Sequence, residues 1–552
     1  MRHDARSRDC YLERALLNGI RQAIESLPGQ PNICTLTTDE ARRRAEEFGT
    51  PTAFGNYNYV STVKNLSTAL TVYLGSDKVE TGVFTQKKRD IRKGAPQTVA
   101  LVNSYLKDAP LVRIDCTMGE GGGFTPSCGL YVSTYRKESI RLAHLVGETL
   151  FPASGDVESH DLTVVVVPEW QEKERQILVF PEIGVTYILG TDYYGEVKNA
   201  FLRMAMWRAK QEGMLGLHAG TKVLRARSAS GEIRKVGMIM FGIAATGKTT
   251  HSCHDHGLDQ PGEGVEIVQD DVAFWRPDGS ALGSERAFYI KTDGLSSTDQ
   301  PLLHRAATAE NAILENVMVD YEGNVYFDDR TLTANGHAIG RRGDLGPCVS
   351  ESVNLPSLDE LDSLIMAFMV RSYTVVPIVS KLTPEQAAVA FMMSEPIDAS
   401  GSDQQGPAGI GSSPFIIGDA SEDCNIFYQL LKAHSDKIRC YMLNTGGVGE
   451  IVEHGLDGTR RMKQKVTRVQ ISEMAAGIRA IARGAITWRE DPNWMAETPE
   501  SVDGLDISRF DLPRHYSQPK IDSLMAGVRL ERAEYADQFK GLDPEIRKAA
   551  EF

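Results

Sequence analysis

One short stretch constrains this chain more than any other feature: Gly242-Ile243-Ala244-Ala245-Thr246-Gly247-Lys248-Thr249-Thr250. It fits G-x-x-x-x-G-K-[ST]. The apolar run Val236–Phe241 enters it as a strand would, and polar, helix-compatible residues leave it. Glycines at 242 and 247 let the backbone turn tightly, so that successive N–H groups of the loop can face phosphate oxygens. Lys248 supplies a positive charge for the outer phosphates, and the Thr249 hydroxyl can ligate Mg²⁺. Strand-like and helix-like runs alternate through the rest of the chain, which predicts a mixed α/β fold.

A second element supports the loop. Val265–Gln269 reads as a strand and ends in Asp270-Asp271, carboxylates placed to hold a divalent cation beside bound phosphates. Directly behind the loop stands His251-Ser-Cys253-His254-Asp255-His256. If the helix continues, His251 and His254 share one face and Cys253 and His256 another, a pattern that looks like a metal cluster. No second group of ligands accompanies it, so the expectation is a polar helix end near the surface.

Composition excludes several classes. Sixty Lys and Arg against 74 Asp and Glu give a formal charge of −14, which argues against a general nucleic-acid binder but leaves room for a local anion pocket. The apolar run Leu162–Val167 is far below the roughly 20 residues a membrane helix needs. The start of the chain carries charges of both signs and has no apolar core of a secretory signal. Eight cysteines form no C-x-x-C pair, so a disulfide scaffold or structural zinc is not expected, and the cytoplasm is the expected compartment. A length of 552 residues allows three or four units or two large lobes. Leu162–Val167 and Val236–Phe241 read as buried strands. Glu196–Gln211 reads as a helix, with Val197, Phe201, Met204 and Arg208 on one face. The stretch 399–413, crowded with Gly, Ser and Gln, reads as a loop or lid.

Further motifs occur in a definite order. Thr81-Gly-Val-Phe-Thr85 is followed by Tyr193-Tyr-Gly-Glu-Val-Lys198, with His218 behind it, and then by the phosphate loop and Asp270-Asp271. Ile290-Lys291-Thr292, Glu315-Asn-Val317, Phe327-Asp328-Asp329, Thr333-Ala-Asn335 and Leu443-Asn-Thr-Gly446 come next, with Arg468 beyond them. In this order and spacing the chain resembles the ATP-dependent phosphoenolpyruvate carboxykinases over nearly its whole length. The loop lacks the cysteine of the GTP-dependent class. The resemblance implies a two-lobed fold, with residues 1–225 as the substrate-side lobe and 226–552 as a P-loop mononucleotide-binding lobe. The cleft would hold metal and substrate, and 399–413 would close over it. The implied gluconeogenic reaction turns oxaloacetate and ATP into phosphoenolpyruvate, CO₂ and ADP. ATP rides with Mg²⁺, and a second metal, commonly Mn²⁺, sits on a histidine, an aspartate and a lysine. By position, His218 and Asp271 keep two of those ligands and Thr249 keeps the Mg²⁺ ligand. Lys248 and Lys291 keep the phosphate-side cations, Tyr193 and Lys198 keep contacts around the carboxylates, and Arg468 falls where adenine is contacted. Asp270 joins Lys198, Lys248 and Lys291 as a candidate catalytic residue.

The departures fall on the substrate side. The family arginine after Thr85 aligns with Lys87, a point charge without a bidentate fork. The metal-binding lysine aligns with Asn199, whose amide oxygen is a harder ligand. The arginine after Asn335 is His337, only partly protonated near neutrality. Arg89, Arg341 or Arg342 could stand in for the lost arginines. Alternatively, the nucleotide half is kept while the acceptor is another small molecule or a protein hydroxyl, or the chain binds nucleotide without turnover.

Overall fold

The computed structural model describes residues 2–79, 85–155, 157–172, 175–242, 246–393, 415–454 and 460–551. Thr81–Phe84, the loop residues Ile243, Ala244 and Ala245, and the 399–413 stretch lie outside them. The fold is mixed α/β, with several sheets and helices. Packing divides the chain into two units. One comprises Met1–Gly216, Leu282–Gly346 and Pro414–Asp419; the other comprises Leu217–Ala281, Pro347–Ser413 and Ala420–Phe552. Among the described residues, no helix is long and apolar enough to cross a membrane.

The first unit is built on an eight-stranded mixed sheet. Its central strand is Leu162–Val167, whose valines alternate between two covered faces, so all six residues are buried. It pairs in parallel with Ser127–Ser133 on one side and Val185–Leu189 on the other. The helix Gln86–Tyr105 lays Ile91, Ala95, Val99 and Val102 into the same apolar core as Val165, Leu178 and Tyr187. The expected helix runs from Tyr194 to Gln211. Val197, Phe201 and Met204 are buried as expected, but so is nearly every other residue; Arg208 instead reaches Asp161 at 2.8 Å. A second sheet pairs Ala287–Lys291 and Ile313–Glu315 with His337–Arg341.

The second unit is an eight-stranded sheet in the order Gly264–Gln269, Ala219–Arg227, Ile233–Phe241, Ser363–Val370, Ile438–Asn444, Val379–Leu382, Ala496–Val502, Ile486–Asp491. The VGMIMF run is the inner half of Ile233–Phe241 and is fully buried, flanked by an antiparallel and a parallel neighbour. Phe241 stacks on Phe368 and Phe391 on Phe427, while Phe241 meets Phe427 edge to face, fastening the helices Pro384–Met392 and Ala420–Ala433 to the sheet.

Candidate active site

In the second unit the chemistry gathers where the strand Ile233–Phe241 ends. Gly242 has no room for a side chain, because a Cβ would collide with Thr246 Oγ1. Gly247 sits at φ 93°, a left-handed conformation that disfavours any other residue. Immediately after it comes the short helix Lys248–Ser252. Lys248 Nζ pairs with Asp271 Oδ1 and lies 3.5 Å from Asp270 Oδ1. The Thr249 hydroxyl donates to Asp270 Oδ2 at 2.8 Å, and Thr250 lies on the same helix. His218 Nε2 is 2.6 Å from Asp271 Oδ1. Burial and the Lys248 charge hold His218 below its ordinary range, outweighing the pull of the two aspartates, so the ring stays neutral and able to bind a metal. Asp270 Oδ1 is buried with no hydrogen-bond partner.

Two supports of this cluster were not legible as such. Gly220 has no space for a Cβ, which would stand 2.7 Å from Asp270 Oδ1. Thr445, inside Leu443-Asn-Thr-Gly446, donates to the carbonyl of Thr246 at 2.6 Å and so ties the glycine turn to the end of the strand Ile438–Asn444. Asn444 braces the same corner, accepting from the backbone of Ser372 and Gly446. Arg468 lies 5.3 Å from the ring centre of Tyr373, a cation–π contact.

The first unit places Tyr193 at the start of the helix Tyr194–Gln211. Its hydroxyl accepts from Asn335 Nδ2 at 2.9 Å and lies 3.4 Å from Tyr289 Oη, and burial pushes it up to about 12. The Tyr289 ring is stacked on His337 with centres 4.2 Å apart and planes 8° from parallel. Lys198 Nζ sits 5.2 Å from the same ring and 3.3 Å from Glu285 Oε2. Asn199 is buried on the next position of that helix, and its carbonyl accepts from Arg203. Glu315 also has a concrete task. It accepts from the Tyr194 backbone and from Arg141, whose other nitrogen holds Asp192, so the turn that presents Tyr193 is locked from below. Glu285, Tyr289 and Arg141 escaped sequence reasoning because only tertiary pairing gives them partners.

Lys291 is exposed at the end of its strand, and Lys87 is exposed in the first turn of its helix. The arginines expected to replace the missing pair are in part committed. Arg341 makes a two-pronged bond to Glu148 at 3.0 and 3.1 Å, Arg89 bonds Gln86, and Arg342 lies over Phe288. The histidine cluster also departs from expectation: the helix stops at Ser252, and His251 and His256 are buried rather than near the surface. As the side chains stand, no group of three or more His, Cys, Asp or Glu among the described residues is gathered to hold a metal, and at the glycine turn Lys248 occupies Asp271 Oδ1.

Chemically, a glycine turn, an ammonium, a hydroxyl and paired carboxylates with a neutral imidazole can receive a polyanion together with a divalent cation. The phosphoenolpyruvate carboxykinase family model, of the ATP class, matches residues 93–508. The chain is therefore a member of the ATP-dependent phosphoenolpyruvate carboxykinase family. The phosphoenolpyruvate carboxykinase (ATP) of Aeropyrum pernix is 32% identical over 347 residues, 62% of this chain and 67% of that protein. That of Rhizobium rhizogenes is 28% identical over 335 residues, 59% of this chain and 56% of its own length. That of Mesorhizobium japonicum is 27% identical over 366 residues, 64% of this chain and 62% of its own. The matches thus span between about half and two thirds of these relatives. Lys87 and Arg89 precede the family match, whereas the other candidate site residues fall inside it.

Proposed function

We propose that this chain converts oxaloacetate and ATP into phosphoenolpyruvate, CO₂ and ADP. The observation that carries the proposal is the convergence of Lys248, Thr249, Asp270, Asp271 and His218 within one unit. The donor set suits a divalent ion, because Asp270 Oδ1 is buried without a hydrogen bond and His218 is kept neutral. We assign Thr249 to the nucleotide's Mg²⁺, and His218 and Asp271, with Asn199 in place of the family lysine, to Mn²⁺. Bound divalent ions supply positive charge for the enolate and phosphoryl oxygens.

The chain's own groups do the rest. The loop from Gly242 to Gly247 holds the polyphosphate with backbone N–H groups, and Arg468 meets the adenine. Lys248 leaves Asp271 for the phosphoryl oxygens as the nucleotide enters, and Lys291 adds a second cation there. Tyr193 and Lys198 orient the acceptor carboxylates, with Lys87 and His337 in the two arginine positions. Residues 1–225 carry the substrate side and 226–552 the nucleotide side. The segment 282–346, which carries Lys291 and His337, packs into the first unit, and 217–225, which includes His218, packs into the second. A cytoplasmic setting belongs to the same proposal. Relatives bearing the carboxykinase name give no support to a different acceptor.

The test is oxaloacetate-dependent formation of ADP and phosphoenolpyruvate with Mg²⁺ and Mn²⁺ supplied. Tight binding of Mg·ATP without turnover of oxaloacetate in either direction would refute the assignment.

A further inference from the structure

The motif His251-Ser-Cys-His-Asp-His256 has no part in the chemistry above, yet the fold gives it a partner. Lys222, on the strand Ala219–Arg227, is completely buried. Its Nζ donates to the backbone carbonyl of His251, to that of His254 at 3.0 Å, and approaches His256 Nε2 at 2.5 Å. The helix Lys248–Ser252 has only five residues, so the carbonyls of its last turn have no partners within it. The Lys222 amine at that end satisfies two backbone carbonyls of this segment, those of His251 and His254.

The imidazoles are arranged around this lysine. His256 adopts a left-handed φ of 57°, its N–H donates to His254 Nδ1 at 2.8 Å, and its carbonyl accepts from Arg479. The rings of His254 and His256 are stacked with centres 5.1 Å apart, and those of His251 and His256 5.9 Å apart. Two ring nitrogens that a metal would need are thereby engaged, one by Lys222 and one by a backbone N–H. Two residues before Lys222 on the same strand, Gly220 admits Ser252 and Asp270. The strand therefore meets that helix and its acidic partner through consecutive alternate positions.

We propose that Lys222 is a positioning residue for ATP binding: by clamping the end of the helix Lys248–Ser252, with His256 as its side-chain acceptor, it sets where Lys248 and Thr249 stand. The proposal rests on the nucleotide-binding role given above to those two residues. It predicts an effect on nucleotide affinity that leaves the acceptor side untouched.

The experiment uses the full chain as wild type, Lys222→Met, Lys222→Gln and His256→Leu, each checked for a cooperative melt. Two quantities are read: amide hydrogen exchange over 246–256 and Mg·ATP affinity with steady-state kinetics. Lys222→Met should speed exchange in that segment at least tenfold and raise the Kd and KM for ATP about tenfold. Its KM for oxaloacetate and its kcat at saturating ATP should stay within about threefold of wild type. Lys222→Gln, which keeps a donor, should recover part of the loss. His256→Leu, which removes only one acceptor, should shift ATP affinity about threefold the same way and serves if the methionine variant does not fold. ATP affinity within twofold of wild type in a folded Lys222→Met, or in a folded His256→Leu where only that variant folds, would overturn the clamp. So would a stoichiometric zinc ion lost in His256→Leu. A wild-type chain that binds no ATP at all overturns the functional reading instead, and is recognised without any variant.

Discussion

The two units spend their lysines differently. Lys248 is paired with Asp271; the lysine is itself buried at 6% exposure, but Asp271 is 17% exposed and His218 23%, so the pair opens to solvent on its acidic side. Lys198 is paired with Glu285 where the two side chains are 2% and 1% exposed, roofed by the Tyr289 ring. A reachable pair can be exchanged for a ligand's charges, whereas breaking a sealed one strands a charge in a poor solvent. Family-like residues therefore sit in one unit as a charge cluster ready to be re-partnered. In the other they form a closed aromatic and ionic frame, with a histidine stacked where the resemblance places an arginine. The lesson is that an identical residue type at a family position can be paired with a partly open carboxylate or with a sealed one, and the exposure of the partner tells the two apart.

The sharpest way to break this comparison is Lys248→Ala. Loss of the ammonium should lower kcat/KM for ATP by about 10³-fold, roughly 4 kcal/mol of transition-state stabilisation, with little change in the melting curve. Turnover within tenfold of wild type would show that the reachable pair is not where phosphoryl charge is met. Next in size, Glu285→Gln should destabilise the fold by about 3 kcal/mol in denaturant titration, because Lys198 is left buried without its counter-charge. Asp271→Asn, by contrast, should cost activity far more than stability. Equal stability losses in the two variants would erase the distinction.

A third prediction concerns acid, where the units are expected to agree. Burial holds His144 at about 4 in the first unit and His251 at about 3 in the second. Each is neutral in the folded chain while the unfolded chain takes up a proton near 6.5, so stability is complete above that pH. It falls as the pH drops from 6.5 towards 4, by up to about 3 kcal/mol for His144 at 1.36 kcal/mol per pH unit. His144→Gln should flatten that part of the stability curve; an unchanged slope would mean that the buried ring does not govern it. The smallest effect is expected from His337→Arg. A guanidinium restored opposite the acceptor should lower the KM for oxaloacetate about threefold, worth roughly 0.7 kcal/mol. A rise in that KM would mean that the Tyr289–His337 stack is itself the substrate surface.

Much of this site is legible in the residue order, for a local reason. Gly242, Gly247, Lys248 and Thr249 act within one turn of chain, and their spacing fixes their geometry before any packing is known. Asp270-Asp271 follow on the next predicted strand, and Leu162–Val167 announces a covered strand by its unbroken β-branched run. Glu285, Tyr289, Thr445 and Lys222 give no such signal. Each acquires its role from a partner far away in the chain, and nothing in the spacing around Lys222 distinguishes a clamp from a solvent-facing strand residue. The cluster His251–His256 was conspicuous for the wrong reason, since its pattern presumed a longer helix than the one that forms.

By itself the sequence determined the α/β character, the glycine–lysine motif with its following aspartate pair, and the family, because these depend on local pattern and on the order of short motifs. Only the tertiary structure decided that Lys198 and Glu285 are both sealed while the partner of Lys248, Asp271, stays partly open to solvent. It also decided that Arg341 is committed to Glu148 and that Lys222 meets the His256 ring and the backbone carbonyls of His251 and His254. Those outcomes depend on which distant groups share a low-dielectric space, and the cost of burying an unpaired charge is settled only when the chain has folded.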